Sequence, residues 1–403
     1  MAGRSFLPWT GLALALQMAL GFAHAQALAG GAVEATLDVA ETFRDGVSLV
    51  WSPNGQAAWD TLKAYHKVDK IVMRPRSVTA EALDAFQLDK GKVLPPDTLI
   101  FAEDDSPEFR ERIRTALRKQ VGERAAQLIE PYQPLRVRQA NPPIVEIKKA
   151  LIVTSIAARP RFPNHFVPDA SPKVFRDRKG GSYLALGFGA QGKLAASQGD
   201  NVRVLTDDLK GQHALRFTFY TGDANDRQCL VLSTPGIHQN LDSALKEVRE
   251  LLAKERVPTR AVEKDGRRWR YEDIFSTDDV LWLPYFQTTT LCEYPDLSRK
   301  KYLESPDGLM WWELGAVQQL LSMKLNHEGA LVESTFKVPA TFLSASSAAD
   351  GSAGASVPVE QLPPYPKRFV FDRPFIASFW REGAEWPYLA CWIDGPEMLT
   401  VKK

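Results

Sequence analysis

The sequence is poor in the features that announce a chemistry. Its 403 residues hold three cysteines, Cys229, Cys292 and Cys391. That is too few for a disulfide framework, and their spacing is too wide for a zinc site, so one bridge with one thiol left over is the most they allow. Charge of either sign is not in excess, with 50 Lys and Arg against 49 Asp and Glu. No long basic run appears, which removes the usual electrostatic footprint of a nucleic-acid or anionic-membrane binder. Histidine is scarce as well. Past the N-terminus His66, His165, His213, His238 and His327 remain, none paired with another or with a carboxylate at metal-ligand spacing. There is no G-x-S-x-G elbow and no cysteine in a nucleophile context, so hydrolase signatures are missing. No apolar run reaches the roughly 20 residues that a spanning helix needs.

What is present is the composition of a globular protein, 44% hydrophobic and 25% charged, preceded by an export signal. Arg4, the apolar stretch Leu12 to Ala23 and the Ala23-His24-Ala25 cleavage site make residues 1–25 a signal peptide. The mature chain, 26–403, is expected to be one domain working in the periplasm or secreted, as a monomer, off the membrane and without a cofactor.

Along the mature chain the apolar periodicity alternates between helix and strand. Val33, Leu37, Ala40 and Phe43 recur at helical spacing up to Gly46, and the apolar run Val47 to Trp51 reads as a buried strand. A helix is expected from Asn54 to about His66. Another follows Ser106-Pro107, an N-cap with proline at the first helical position, with Phe109, Ile113 and Leu117 four apart on one face. Prolines 131, 134, 142 and 143 bar a long helix over 130–143. Ala150 to Ile156 reads as a strand covered on both faces. Short β-rich segments then follow at Tyr183–Leu186, Val202–Leu205, Leu215–Tyr220 and Cys229–Leu232. Leu241, Leu245, Val248 and Leu252 mark one amphipathic helix before strands resume at Val280–Leu283 and Thr288–Cys292. Ser344 to Pro366 is rich in Ser, Ala, Gly and Pro and reads as part of a flexible exposed loop spanning about 337–366. Two strands, Phe369–Trp380 and Tyr388–Ile393, close the chain across a turn at Gly383.

Two motifs invite a chemical reading and receive a structural one. Gly187-Phe188-Gly189-Ala190-Gln191-Gly192 spells a dinucleotide fingerprint, but only Lys193 to Ser197 separates it from Gln198-Gly199, too little for a crossover helix, so a hairpin turn is expected. Lys264 to Arg270 is basic but interleaved with acids and reads as a solvated turn. The tryptophans sit in apolar strands, where core packing is expected.

Taken in order, these pieces resemble a divergent bacterial-type serpin. Val47-Ser48-Leu49-Val50-Trp51-Ser52-Pro53 resembles the strand and Ser-Pro step that open that family's second helix. Leu99 to Ile129 is similar to the strand and long helix beginning its large sheet, and Ala150 to Ile156 to its central strand. Leu215 to Pro235, Leu281-Trp282-Leu283-Pro284-Tyr285-Phe286 and the closing pair Phe371 to Ile376 with Tyr388 to Pro396 resemble later strands in the same order. The resemblance implies an α+β fold with a large mixed central β-sheet, an antiparallel second sheet, helices on one side, and a long exposed loop before the C-terminal strand pair.

It also implies a function that is not enzymatic. Family members offer a bait bond in an exposed loop to a serine protease, and after cleavage the loop's hinge inserts as a new strand in the large sheet. By family spacing the bait bond falls at Leu343-Ser344 and the hinge at Glu328, Gly329, Ala330, Leu331 and Val332. Ser52, Thr154 and Gln319 take positions that control sheet opening, and Gly55 lies beside them. The hinge departs from the family in carrying bulk at Val332 and Phe336, which opposes insertion, and the loop beyond Leu343 is far longer than usual. The expectation is therefore an exported serpin-like protein whose partner is a serine protease. The alternative is a non-inhibitory serpin-fold interaction protein of the cell envelope, and a periplasmic enzyme with a dispersed site is a third reading that no residue pattern supports.

Overall fold

The computed structural model describes residues 32–131, 148–199, 201–208, 211–254, 260–264, 267–303, 311–341 and 365–402. The expected signal peptide, most of the proline-rich connector and the Leu343-Ser344 bond lie outside them.

Numbered along the chain, the first elements are β1 (Ala32–Thr36), β2 (Val47–Trp51), α1 (Asn54–His66), β3 (Met73–Arg74), α2 (Val78–Ala85) and α3 (Lys90–Val93). Next come β4 (Leu99–Asp104), α4 (Pro107–Gln120), α5 (Glu123–Gln127), β5 (Lys149–Ala158), β6 (Val167–Arg176), β7 (Ser182–Gln191) and α6 (Lys193–Ser197). The middle holds β8 (Val202–Asp207), β9 (His213–Phe219), β10 (Gln228–Ser233), α7 (Leu241–Ala253), β11 (Arg260–Lys264) and β12 (Arg267–Tyr271). After these run β13 (Val280–Pro284), β14 (Phe286–Glu293), β15 (Lys301–Tyr302), β16 (Trp312–Leu314), β17 (Gln318–Asn326) and β18 (Gly329–Thr341). The chain closes with β19 (Arg368–Val370), β20 (Phe375–Arg381) and β21 (Leu389–Ile393).

The fold is α+β, as the sequence reading expected. An eight-stranded sheet runs β14-β17-β18-β16-β15-β3, with β5 on the other edge of β18 and β4 beyond it. A seven-stranded sheet, β1-β2-β21-β20-β10-β9-β8, and a four-stranded one, β19-β13-β7-β6, complete the body, and β11-β12 stand apart as a hairpin. Parallel pairing occurs at β1-β2 and β13-β19. Every pairing in the eight-stranded sheet is antiparallel.

Helices expected on one side are divided between the two faces of the eight-stranded sheet. Strand alternation sends Ala150 and Ile152 to one face, where Ala58, Trp59 and Leu62 of α1 pack with Phe336, Val338 and Ala340 of β18. Leu151 and Val153 point the other way, onto Phe109, Ile113 and Leu117 of α4 and Ala125 and Ala126 of α5. The stripe on α4 is the one its spacing marks, and the Ser106 hydroxyl accepts from Phe109 N at 3.1 Å, capping the helix.

Several local expectations are corrected. The helical spacing from Val33 to Phe43 belongs to no helix: β1 pairs with β2 from Ala32 to Thr36, and the chain then turns. Val39 and Phe43 are buried because they reach the seven-stranded sheet, where the Phe43 ring stacks on Trp392 at 4.4 Å, so tertiary packing and not helix periodicity sets the pattern. Gly187 and Gly189 are not in a turn but inside β7, where a Cβ would stand 2.3 Å from Leu283 O and 2.0 Å from Leu281 O. Only glycine lets β7 lie so close to β13 beside Trp282. In the basic segment expected to be a turn, Lys264 and Arg267 to Arg270 are strand residues of the β11-β12 hairpin. Phe369 to Trp380 is two strands, broken at Asp372-Arg373-Pro374. All three cysteines are free.

The largest correction concerns the loop placed at about 337–366. Lys337 to Thr341 are strand residues in the middle of the eight-stranded sheet, paired with Val153 back to Lys149. Alternation explains them: Val332, Phe336, Val338 and Ala340 line one face of β18 and all are buried.

Candidate functional site

The residues that the resemblance assigns to sheet opening and to a hinge come together around β18. β17 and β18 form a hairpin in which Asn326 pairs with Gly329 across the two-residue loop His327-Glu328. The Asn326 side-chain oxygen accepts from Glu328 N and Gly329 N, both at 3.0 Å, which is the local chemistry that makes asparagine a turn former. The turn is also bound to the segment after β5. Phe162 N donates to Glu328 O at 2.9 Å, Phe166 N to His327 O at 3.0 Å, and Ala330 N to Pro160 O at 2.9 Å. Gly329, at φ +157, approaches so closely that a Cβ would meet Pro160 O at 2.4 Å. Tyr285 Oη lies 3.1 Å from His327 Nδ1 and closes the cap.

Glu328 and Gly329 therefore lie in a fastened turn. Ala330, Leu331 and Val332 are the first rungs of a strand, opposite Leu325, Lys324 and Met323. From Val332 onward β18 also pairs with β5, ten consecutive positions ending at Thr341 opposite Lys149. β17 and β5 run parallel to each other with β18 between them, paired to both. Val332 and Phe336 are now core residues: Val332 packs among Met323, Leu325, Ile156 and Ala158, and the Phe336 ring lies 5.7 Å from that of Tyr294.

A buried polar network crosses this seam. Asn54, in the first turn of α1, donates through Nδ2 to Thr154 O at 3.0 Å and Ser334 O at 2.7 Å, one acceptor on each of the two strands. Thr154 Oγ1 donates back to Asn54 O at 2.9 Å. Gln319 of β17 donates through Nε2 to Ser334 Oγ at 3.1 Å and accepts from the Tyr294 hydroxyl. Burial raises the Tyr294 pKa well above the ordinary phenol, which keeps that hydroxyl a donor. On the other face Ser155 Oγ and Thr335 Oγ1 are 2.8 Å apart. Ser52 stands at the edge of the network, with Oγ 3.4 Å from Asn54 N and from Tyr388 O. Gly55 gives α1 room there, since a Cβ would meet Leu37 Cδ2 at 2.2 Å and Phe336 Cε2 at 3.3 Å.

Thr154 and Gln319 are thus brought within one network and Ser52 beside it, but the residues that join them, Asn54 and Ser334, were not singled out from sequence. Both leave a mark there. Ser334 is the polar break in the alternating stripe from Val332 to Ala340, and Asn54 is a polar residue on the buried face of α1. Lys337 was also missed. It is 5% exposed, donates from Nζ to Leu128 O at 3.1 Å and faces Glu130 at 3.6 Å. Burial lowers its pKa, partly offset by Glu130.

Both ends of the segment beyond β18 are fastened. Thr341 pairs with Lys149 and Glu313 at the foot of the sheet. At the far end Tyr365 N donates to Arg270 O at 2.7 Å, and Lys367 makes a 2.8 Å ion pair with Asp279 in which both side chains are buried. Lys367 N also donates to Asp279 Oδ1 at 2.7 Å, and β19 then joins β13. The buried Cys229 and Cys391 thiols have pKa values raised by burial, Cys229 to about 11, which leaves them without nucleophilic character. Among the described residues no group of His, Cys, Asp and Glu is arranged to hold a metal ion.

No family model and no curated protein matches the chain. Among solved structures it is similar to cleaved Serpin 42Da, at 13% identity and TM-score 0.47, covering 88% of this chain and 92% of that one. A loop C-sheet serpin polymer gives 10%, 0.45, 91% and 93%, and the thermophilic serpin tengpin in its latent state gives 10%, 0.42, 91% and 93%.

Proposed function

We propose that this chain is an exported, non-inhibitory protein of serpin type, acting by binding and not by catalysis or covalent trapping. One observation carries the reading: β18 occupies the slot between β17 and β5 while the chain is uncut. A trap driven by strand insertion needs that slot empty and the insertion energy unspent. The resemblance puts serine-peptidase inhibition at Leu343-Ser344, with the hinge at Glu328 to Val332 as the moving part. The residues expected to form that hinge are instead the end of a hairpin turn and the first rungs of β18, and burial of Val332, Phe336 and Val338 alone favours this strand by about 5 to 9 kcal/mol at 1.5 to 3 kcal/mol each. A serine protease meeting residues 342–364 then has a substrate to cut, with nothing left to insert.

The test is to incubate the mature protein with a chymotrypsin-like and an elastase-like protease. Cleavage within 342–364, undiminished protease turnover, no complex surviving denaturation, and a melting temperature unchanged by the nick are expected. A denaturation-resistant complex, or a melting temperature that rises after the nick, overturns the reading in favour of an inhibitor.

A further inference from the structure

The arm that returns the chain to the body, Tyr365 to Phe371, rests on an imidazole whose buried Nε2 has no hydrogen-bond partner among the described residues. His213 opens β9, and its ring lies 5.1 Å from Phe369 and 5.0 Å from Phe371, edge-on to both. Phe369 and Phe371 are 1% and 2% exposed, so the two rings and the imidazole close over one another. The Nε2 atom is buried there with no hydrogen-bond partner among the described residues. A neutral imidazole tolerates this when Nε2 carries the lone pair, whereas an imidazolium places an N–H donor with a positive charge against apolar carbon.

We propose that His213 is an acid-sensitive latch for this arm: protonation of its ring weakens the seat of Phe369 and Phe371 and loosens β19 from β13. The other charged groups around the ring are Asp207 at the end of β8, Asp208 beyond it, and Asp372 just after the arm. Each favours the imidazolium. Asp207 is held by the Tyr271 hydroxyl at 2.7 Å and Asp208 accepts from Gln212 N at 2.9 Å, and burial outweighs all three, lowering the His213 pKa from its ordinary value.

The sign follows from linkage. The seated arm prefers neutral His213, while a released arm leaves the ring in water with a pKa of about 6.5. Seating is therefore fully favoured above pH 6.5 and is lost as pH falls from there through the lowered value. For each unit of depression, opening gains up to about tenfold. The buried Lys367–Asp279 ion pair, 2.8 Å long, holds the root of the arm while β19 responds.

Hydrogen-exchange protection factors for the amides of residues 368–371 in the full mature chain, at pH 7.5, 6.5 and 5.5, test this. The inference expects protection to fall severalfold on acidification relative to the amides of β10, and to stay within twofold in His213→Phe, which keeps the aromatic packing and removes the titration. Unchanged protection in the wild type, or an equal loss in His213→Phe, overturns it. Should His213→Phe not fold, an NMR titration of the wild-type His213 ring decides: a midpoint at or above 6.5 refutes the latch, and a midpoint below it sustains the latch. The outcome is separate from the function proposed above, because β18 stays in the sheet whichever way the arm behaves.

Discussion

If β18 is a permanent strand of an uncut chain, the segment from Thr341 to Tyr365 must act as a tether, and its length sets a threshold. β18 carries the chain 12 residues from its turn to Thr341, about 40 Å at 3.3 Å per residue. β13, which anchors β19, ends beside Tyr285, and Tyr285 is bonded to His327 in that same turn. The tether must therefore come back by a distance on the order of the strand's own length, roughly 40 Å. Its 24 residue steps reach at most about 80 Å, roughly twice what is needed. Deleting 350–356 leaves about 58 Å of reach and should be silent, because closing a somewhat shorter loop changes the entropy by only tenths of a kcal/mol. Deleting 345–358 leaves 10 steps, about 35 Å, and something must release. The candidates are the foot of β18 with Val338, or the arm with its buried Lys367–Asp279 pair. Either release costs about 3 to 5 kcal/mol. With an unfolding entropy of about 2.1 cal/mol/K per residue, that lowers the melting temperature by about 4 to 6 °C. Differential scanning calorimetry on the two deletions reads this directly. A long deletion that melts like the parent, or a short one that already loses several degrees, refutes the tether geometry.

Three substitutions test the surrounding interactions. Phe336→Ala removes the largest side chain of β18 and should cost about 3 to 5 kcal/mol in urea unfolding, where an exposed hinge residue would cost almost nothing. Asn54→Leu leaves the Thr154 and Ser334 carbonyls without their donor and should cost about 2 to 4 kcal/mol; a loss below 1 kcal/mol means that the seam does not depend on it. His66, packed between Tyr302 and Trp312, has its pKa lowered by burial to about 4, so the folded state favours the neutral ring. Its contribution is complete above pH 6.5 and is lost as pH falls from 6.5 to 4. The full shift is worth about 3 kcal/mol, and partial exposure of the ring cuts that to about 2. Unfolding free energies at pH 7 and 4.5 should show this loss in the wild type and not in His66→Gln; equal slopes in the two proteins remove His66 as the cause.

Elements whose residues carry their own signals were legible in the sequence. α4 announced both its Ser106 cap and its buried stripe, β5 its continuous apolar run, and α7 its four-residue spacing, because each satisfies its hydrogen bonds within itself or is covered on both faces. β1 was misread because Val39 and Phe43, beyond its end, pack back on the same seven-stranded sheet at what happens to be a helical interval. Gly187 and Gly189 were misread because a glycine that permits close approach looks the same in sequence as one that permits a turn. At the site, Thr154, Gln319 and Ser52 could be reached through a resemblance, but Asn54 and Ser334 could not, since their roles come from three segments meeting 100 and 280 residues apart. Lys337 to Thr341 were lost for a different reason: the low-complexity composition beyond Leu343 overshadowed the plain alternation of Val332, Ser334, Phe336, Val338 and Ala340.

The bulk in β18 and the length of the tether are independent in sequence, yet they answer one physical requirement. A strand that must slide between two others in one event does best with small side chains, because each large one has to cross the seam before it is buried. A strand that forms with the sheet meets no such barrier, and Phe336 then gains the full burial that a sliding hinge would sacrifice. Such a strand creates a second problem, because it carries the chain roughly 40 Å from its turn before the chain must return to β19. A short loop would solve it only by being cut or by pulling β19 away. The 24 steps from Thr341 to Tyr365 solve it with the chain intact and with Lys367 still buried on Asp279. Bulky residues with a short tether would strain the fold, and small residues with a long one would leave the strand weakly held. Their combination is what an uncut, fully paired β18 requires.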